Sequence, residues 1–95
     1  MKELVNLQEL APSAKIEQVD RKDLKQWKVY FPNKFGLSII TGRGTHSDEN
    51  SVEVAILKKD IDGWHLTYDT PLTDDVIRYV TKEELIELIN EVQKL

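Results

Sequence analysis

The 95-residue chain is 40% hydrophobic and 32% charged and has no cysteine. That balance belongs to a soluble globular domain rather than a disordered segment, and the missing thiols exclude disulfides and cysteine-bound zinc or iron–sulfur centres. The formal charge of −4 is uneven: residues 1–47 hold 8 Lys or Arg against 5 Asp or Glu, and residues 48–95 hold 5 against 12.

The length fits a single domain over residues 1–95, burying only roughly 60–65% of its unfolded surface. The charge asymmetry implies either two differently solvated faces or an acidic surface that docks on a basic partner. Direct binding of nucleic acid is disfavoured, because phosphate contacts need clustered Lys and Arg. The opening MKELVNLQEL is too polar for the apolar run of a signal peptide. The longest aliphatic run, Val54–Leu57, is far short of the roughly 20 residues that cross a bilayer. A cytoplasmic protein, with no membrane as partner, is the expectation.

Leu4, Leu7 and Leu10 recur at near-helical spacing before Pro12, which predicts a short N-terminal helix. A weak edge-strand pattern follows over Ala14–Asp20, and the charged run 20–26 reads as a connection. Trp27, Val29 and Phe31 alternate with polar or amphipathic neighbours, and Phe35–Thr41 returns after Pro32-Asn33-Lys34, which predicts a hairpin. The polar stretch Gly42–Asn50 is a loop. Two further strands, centred on Val52–Leu57 and Trp64–Tyr68, meet through Asp62-Gly63.

Thr73 is a good N-cap, with Asp74 and Asp75 in the first turn of a predicted helix over 74–80. Thr81-Lys82-Glu83-Glu84 has capping-box spacing, and Leu85, Leu88, Ile89, Val92 and Leu95 form one stripe of a final helix. The expected fold class is α+β: an antiparallel meander of four to five strands, two C-terminal helices on one face, and a short N-terminal helix. The stripe should meet Trp27, Val29, Leu37, Ile39, Val54, Ile56, Trp64 and Leu66. The opposite face holds Tyr30, Ile40, Ala55 and Leu57 among Lys28, Ser38, Glu53, His65 and Thr67. That face is too apolar to be simply solvated, so either the Leu4/Leu7/Leu10 segment or a second chain is expected to cover it.

Three stretches carry a resemblance. They are Phe35-Gly36-Leu37-Ser38-Ile39-Ile40, Glu53-Val54-Ala55-Ile56-Leu57, and Leu66-Thr67-Tyr68-Asp69-Thr70-Pro71-Leu72-Thr73-Asp74-Asp75-Val76-Ile77 continuing through Tyr79–Leu85. Together they are similar to a family of small proteins encoded by bacteriophages and prophages of Gram-positive bacteria. The resemblance covers roughly residues 30–95. It implies an accessory protein acting inside an infected or lysogenic cell. Where members of that family tend to carry an aromatic–glycine loop, this chain has Thr45-His46-Ser47-Asp48-Glu49-Asn50.

Candidate chemistry is sparse. His46 with Asp48 and Glu49 has the residue types of a metal or acid–base cluster, but loop neighbours need a third element to converge on an ion. His65 and Glu53 are a possible cross-strand dyad. Gly42-Arg43-Gly44-Thr45 precedes a strand rather than a helix, unlike a phosphate loop, and Asp60-Ile61-Asp62-Gly63 is a turn, too short for a calcium loop. No serine or cysteine has a nucleophile's setting.

The expectation is a non-enzymatic protein that binds a host or phage protein and needs no cofactor. Its candidate contacts are the acidic Asp69, Asp74, Asp75 and Glu84 and the apolar Tyr30, Ile40 and Leu57. Two alternatives stand beside it. One is a small metal-dependent enzyme using His46, His65 and nearby carboxylates; the other is a homodimer joined through the Tyr30/Ile40/Ala55/Leu57 face.

Overall fold

The structure is a computed structural model that describes residues 7–42, 44–45, 47–48, 51–67, 70 and 75–95. A short helix α1 (Leu7–Leu10) leads into five antiparallel strands in sequence order: β1 (Lys15–Arg21), β2 (Leu24–Tyr30), β3 (Phe35–Gly42), β4 (Ser51–Asp60) and β5 (Gly63–Thr67). A sixth strand, β6 (Ile77–Thr81), also pairs with β4 and passes directly into helix α2 (Lys82–Val92).

The meander follows from its turns. The predicted connection over 20–26 shrinks to Lys22-Asp23, because Arg21 already pairs with Leu24. Between β2 and β3 the Phe31 N–H donates to the Phe35 carbonyl (2.9 Å), and Lys34 takes a left-handed conformation at φ 70°. Pro32 and Asn33 suit this bend, since proline fixes φ and asparagine supports local turn bonds. Asn33 also works at long range: its amide donates to the Val92 carbonyl at 2.8 Å and to that of Leu95 at 3.3 Å. The orphan carbonyls at the end of α2 are thereby tied to the β2–β3 turn.

The predicted helix over 74–80 does not form. Residues 77–81 are a strand, with Val80 opposite Val52 and Ile77 opposite Val54. Thr73 and Asp74, its expected cap and first turn, lie outside the described residues. Competition for β4 explains the outcome. β4 is ten residues long, and β5 pairs only with Ile56–Asp60. The other half of that edge would expose unpaired backbone groups, and the β-branched Ile77 and Val80 fill it. Tertiary pairing here overrides a local helix signal.

One C-terminal helix therefore remains, with the predicted start. Thr81 is its N-cap: the Glu84 N–H donates to the Thr81 hydroxyl, and the Thr81 N–H donates back to the Glu84 carboxylate. Leu85, Ile89 and Val92 are buried, with Leu88 and Leu95 packed beside them. They cover Val29, Leu37, Ile39, Val52, Val54 and Ile56, all 0% exposed.

Two sequence expectations about the faces change. Leu7, Ala11 and Ala14 join the core with α2, so α1 does not cover the opposite face; Leu4 lies outside the described residues. Trp64 and Leu66 also change sides. The two-residue β4–β5 turn pairs Asp60 with Gly63, which sets Leu57 against Leu66 and Ile56 against Thr67. Turn length fixes strand parity, and a one-residue difference moves every side chain to the other face. Thr67 and His65 thus take the core-side register, and Trp64 and Leu66 join Leu57 outside.

Candidate functional site

Outside the core, the sheet gathers its apolar residues around a shallow hollow. Register places Tyr30, Gly36, Leu57 and Leu66 in one row across β2, β3, β4 and β5. The next row is Lys28, Ser38 and Ala55, and the one after it is Gln26, Ile40 and Glu53. The centre of each of the first two rows is small: Gly36 and Ser38 on β3, with Ala55 beside Ser38. Large side chains at the margins and small ones in the middle leave a groove of about 400 Å³, bordered also by Val76. That size and its mostly apolar lining are typical of a binding groove.

Gly36 is required for this shape. A Cβ there would meet the Val29 carbonyl oxygen at 2.2 Å and a ring carbon of Trp64 at 3.4 Å. Trp64 therefore lies over the glycine and reaches Tyr30, with ring centroids 4.7 Å apart and planes tilted by 49°. Ser38 takes a hydrogen bond from the Gln26 amide at 2.9 Å. Burial, and then the neighbouring Glu17 carboxylate that accepts from its hydroxyl, hold the Tyr30 phenol above its ordinary pKa. It stays a neutral donor.

By register Tyr30, Ile40 and Leu57 share the outer face, and the two acidic candidates among the described residues, Asp75 and Glu84, are each held locally. Asp69 and Asp74 lie outside the described residues. Asp75 accepts from the Val76 N–H at 2.7 Å and stands 3.4 Å from the Arg78 guanidinium. Glu84 is engaged in the α2 cap. Other acids are also held locally: Asp48 by the Ser51 hydroxyl at 2.8 Å, and Glu91 by Lys94 at 3.4 Å.

The His65–Glu53 dyad is corrected. Register sets His65 opposite Lys58 and Glu53 opposite Ile40, on different faces. Instead His65 Nε2 lies 2.5 Å from Asp60, and Nδ1 donates to the Leu66 carbonyl. Both ring nitrogens thus meet acceptors, which favours the imidazolium. The Leu66 carbonyl and then Asp60 raise the His65 pKa. The Asp62 N–H and then His65 lower that of Asp60. This is an exposed clamp on the β4–β5 turn. His46 and Glu49 lie outside the described residues, and among the described residues no group of three His, Cys, Asp or Glu could hold a metal ion. No described helix is long and apolar enough to cross a membrane.

No family model, curated protein or solved structure matches the chain. The groove therefore has to be judged on its own geometry. One irregularity of the sheet, on β6, had no sequence signal. Between the Val52–Val80 and Val54–Ile77 pairs the register shifts, so Arg78 and Tyr79 both stand against Glu53. This is a β-bulge, and Tyr79 takes φ 53° in it while 52% exposed. A non-glycine residue there is strained by about 1–2 kcal/mol. Backbone strain of this kind concentrates at functional positions.

Proposed function

We propose that the protein is a non-enzymatic accessory protein of the phage or prophage type that works by holding another protein chain in the outer-face groove. The observation that carries this is the groove itself. Trp64, Leu57, Leu66 and Ile40 converge around a small-residue floor on the sheet face opposite both helices, with Tyr30 packed against Trp64. Apolar and aromatic residues grouped around a recess supply binding energy at protein interfaces. The resemblance to small phage and prophage proteins supports action inside a bacterial cell. The local engagement of Asp75 and Glu84 moves the weight of the proposal from an acidic surface to this groove.

The test is a photo-crosslinking amino acid placed at Leu66 in the full chain, expressed in a Gram-positive host. The expected result is a discrete protein adduct on illumination, absent when the same amino acid replaces the distant Glu87. A chain that yields no protein adduct at position 66 overturns the proposal.

A further inference from the structure

We infer that the free edge of β1 pairs with β1 of a second copy, in an antiparallel two-fold dimer whose sheet runs on from one copy into the other. This goes beyond the groove: it uses a different surface, and either claim can fail without the other.

β1 ends the sheet, and its register with β2 is unbroken by proline or bulge. Such an edge leaves one side of its backbone open to another chain, and among the described residues no strand lies there. The ladder shows which groups are open, because backbone groups of successive strand residues point to opposite sides. The Phe31 N–H donates to the Phe35 carbonyl, so Val29 and Trp27 also turn toward β3, and Tyr30, Lys28 and Gln26 turn toward β1. Their partners there are Lys15, Glu17 and Val19. Ile16, Gln18 and Asp20 therefore direct their N–H and carbonyl groups outward.

The side chains select the occupant. About a two-fold axis normal to the sheet, one residue of an antiparallel pair must face its own copy. Three such registers pair five or more residues of β1. Centred on Glu17, the register opposes two carboxylates; centred on Gln18, it sets Lys15 against Arg21 at both ends. Centred on Val19, it sets Val19 against Val19 and each Glu17 against the other copy's Arg21. That register also lets Gln18 and Asp20 of the two copies exchange hydrogen bonds through their outward backbone groups. Glu17 and Arg21 are exposed and Val19 is half-buried. Arg21 has no ion pair among the described residues. Glu17 accepts from the neutral Tyr30 hydroxyl, which leaves it a full charge and further acceptor sites for a guanidinium. One axis thus satisfies backbone, apolar and charged groups together.

The chain has no cysteine, so a single introduced thiol reads the register. Directly opposed residues of such a pair lie within disulfide range. Under oxidised glutathione, the full chain carrying Val19→Cys should form a disulfide dimer about tenfold faster than Glu17→Cys or Arg21→Cys alone. Mixed, those last two variants should cross-link to each other. Sedimentation velocity, with circular dichroism to confirm folding, is the second arm. Wild type should pass from monomer to dimer as concentration rises. Gln18→Pro removes only an outward N–H, which an edge strand tolerates, and should stay folded and monomeric. Arg21→Glu should weaken self-association about threefold or more, and Glu17→Arg added to the same chain should restore it. A wild type that stays monomeric throughout, leaving the edge to some other strand, overturns the inference. So does a folded Gln18→Pro chain that dimerises like wild type, or Val19→Cys cross-linking no faster than Glu17→Cys.

Discussion

The two faces of this sheet are built from the same strands and achieve burial in different ways. On the inner face a second layer does the work: α1 and α2 cover β-branched and leucine side chains completely. On the outer face Ser38, Ala55 and Leu57 are almost as buried, yet only their sheet neighbours and Val76 border them among the described residues. Trp64 and Tyr30 lean across Gly36 to cover what a helix covers on the other side. The inner face is therefore a finished core, and the outer face carries an apolar groove that no described helix covers.

That contrast can be broken by mutation. Leu85→Ala removes a fully buried anchor of α2 and should cost about 2–5 kcal/mol, whereas Leu66→Ala outside should cost under about 1 kcal/mol for the isolated chain; urea unfolding measures both. Equal losses would mean that the two faces are equivalent. Gly36→Ala should cost about 1–3 kcal/mol, although it adds a single methyl group, because its Cβ collides with the Val29 carbonyl and presses on Trp64. The same titration should show loss of the Tyr30–Trp64 contact as a change in tryptophan fluorescence.

Tyr79→Gly should act in the opposite direction. Release from the left-handed backbone should offset the lost side chain and raise stability by up to about 1 kcal/mol, as urea unfolding would show. A clear loss of stability would show that Tyr79 is a structural residue. The smallest effect expected is one of pH. Raised above 6.5, the folded-state pKa of His65 gives a contribution that is full below that value and is lost as pH rises through the folded value. Asp60, lowered below 3.8, contributes above that value and loses its share as pH falls through its own folded value. The clamp should therefore be tightest between these two reference values. In an NMR titration, Asp60→Asn should lower the His65 midpoint; an unchanged midpoint would remove Asp60 as its partner.

Much of the inner face was legible in the residues. The Leu85–Leu95 stripe, the Thr81–Glu84 box and the alternation of β2 to β4 are local patterns with a fixed period, and they survive folding. Trp64 and Leu66 were assigned to the wrong face because strand parity depends on where a turn closes, and Asp62-Gly63 marks a turn without fixing its length. The stretch 74–80 reads as a helix because the Thr73 cap signal is local, whereas the vacant half of β4 that recruits Ile77–Thr81 as a strand is not. The groove was half visible: Tyr30, Ile40 and Leu57 shared a face by period, but the roles of Gly36 and Trp64 depend on contacts between strands. The bulge at Tyr79 left no trace in the sequence.

The amide of Asn33 has a consequence for the order of assembly. It donates to carbonyls 59 and 62 positions further along the chain, and helical neighbours of those carbonyls seal the core. A ribosome delivering this chain can release a finished β2–β3 turn long before the groups that anchor it emerge. Until α2 arrives, the leucine- and valine-rich side of the sheet stands open to solvent. The nascent protein thus passes through a stage in which apolar side chains stand uncovered on both sheet faces, and docking of the last helix covers one of them.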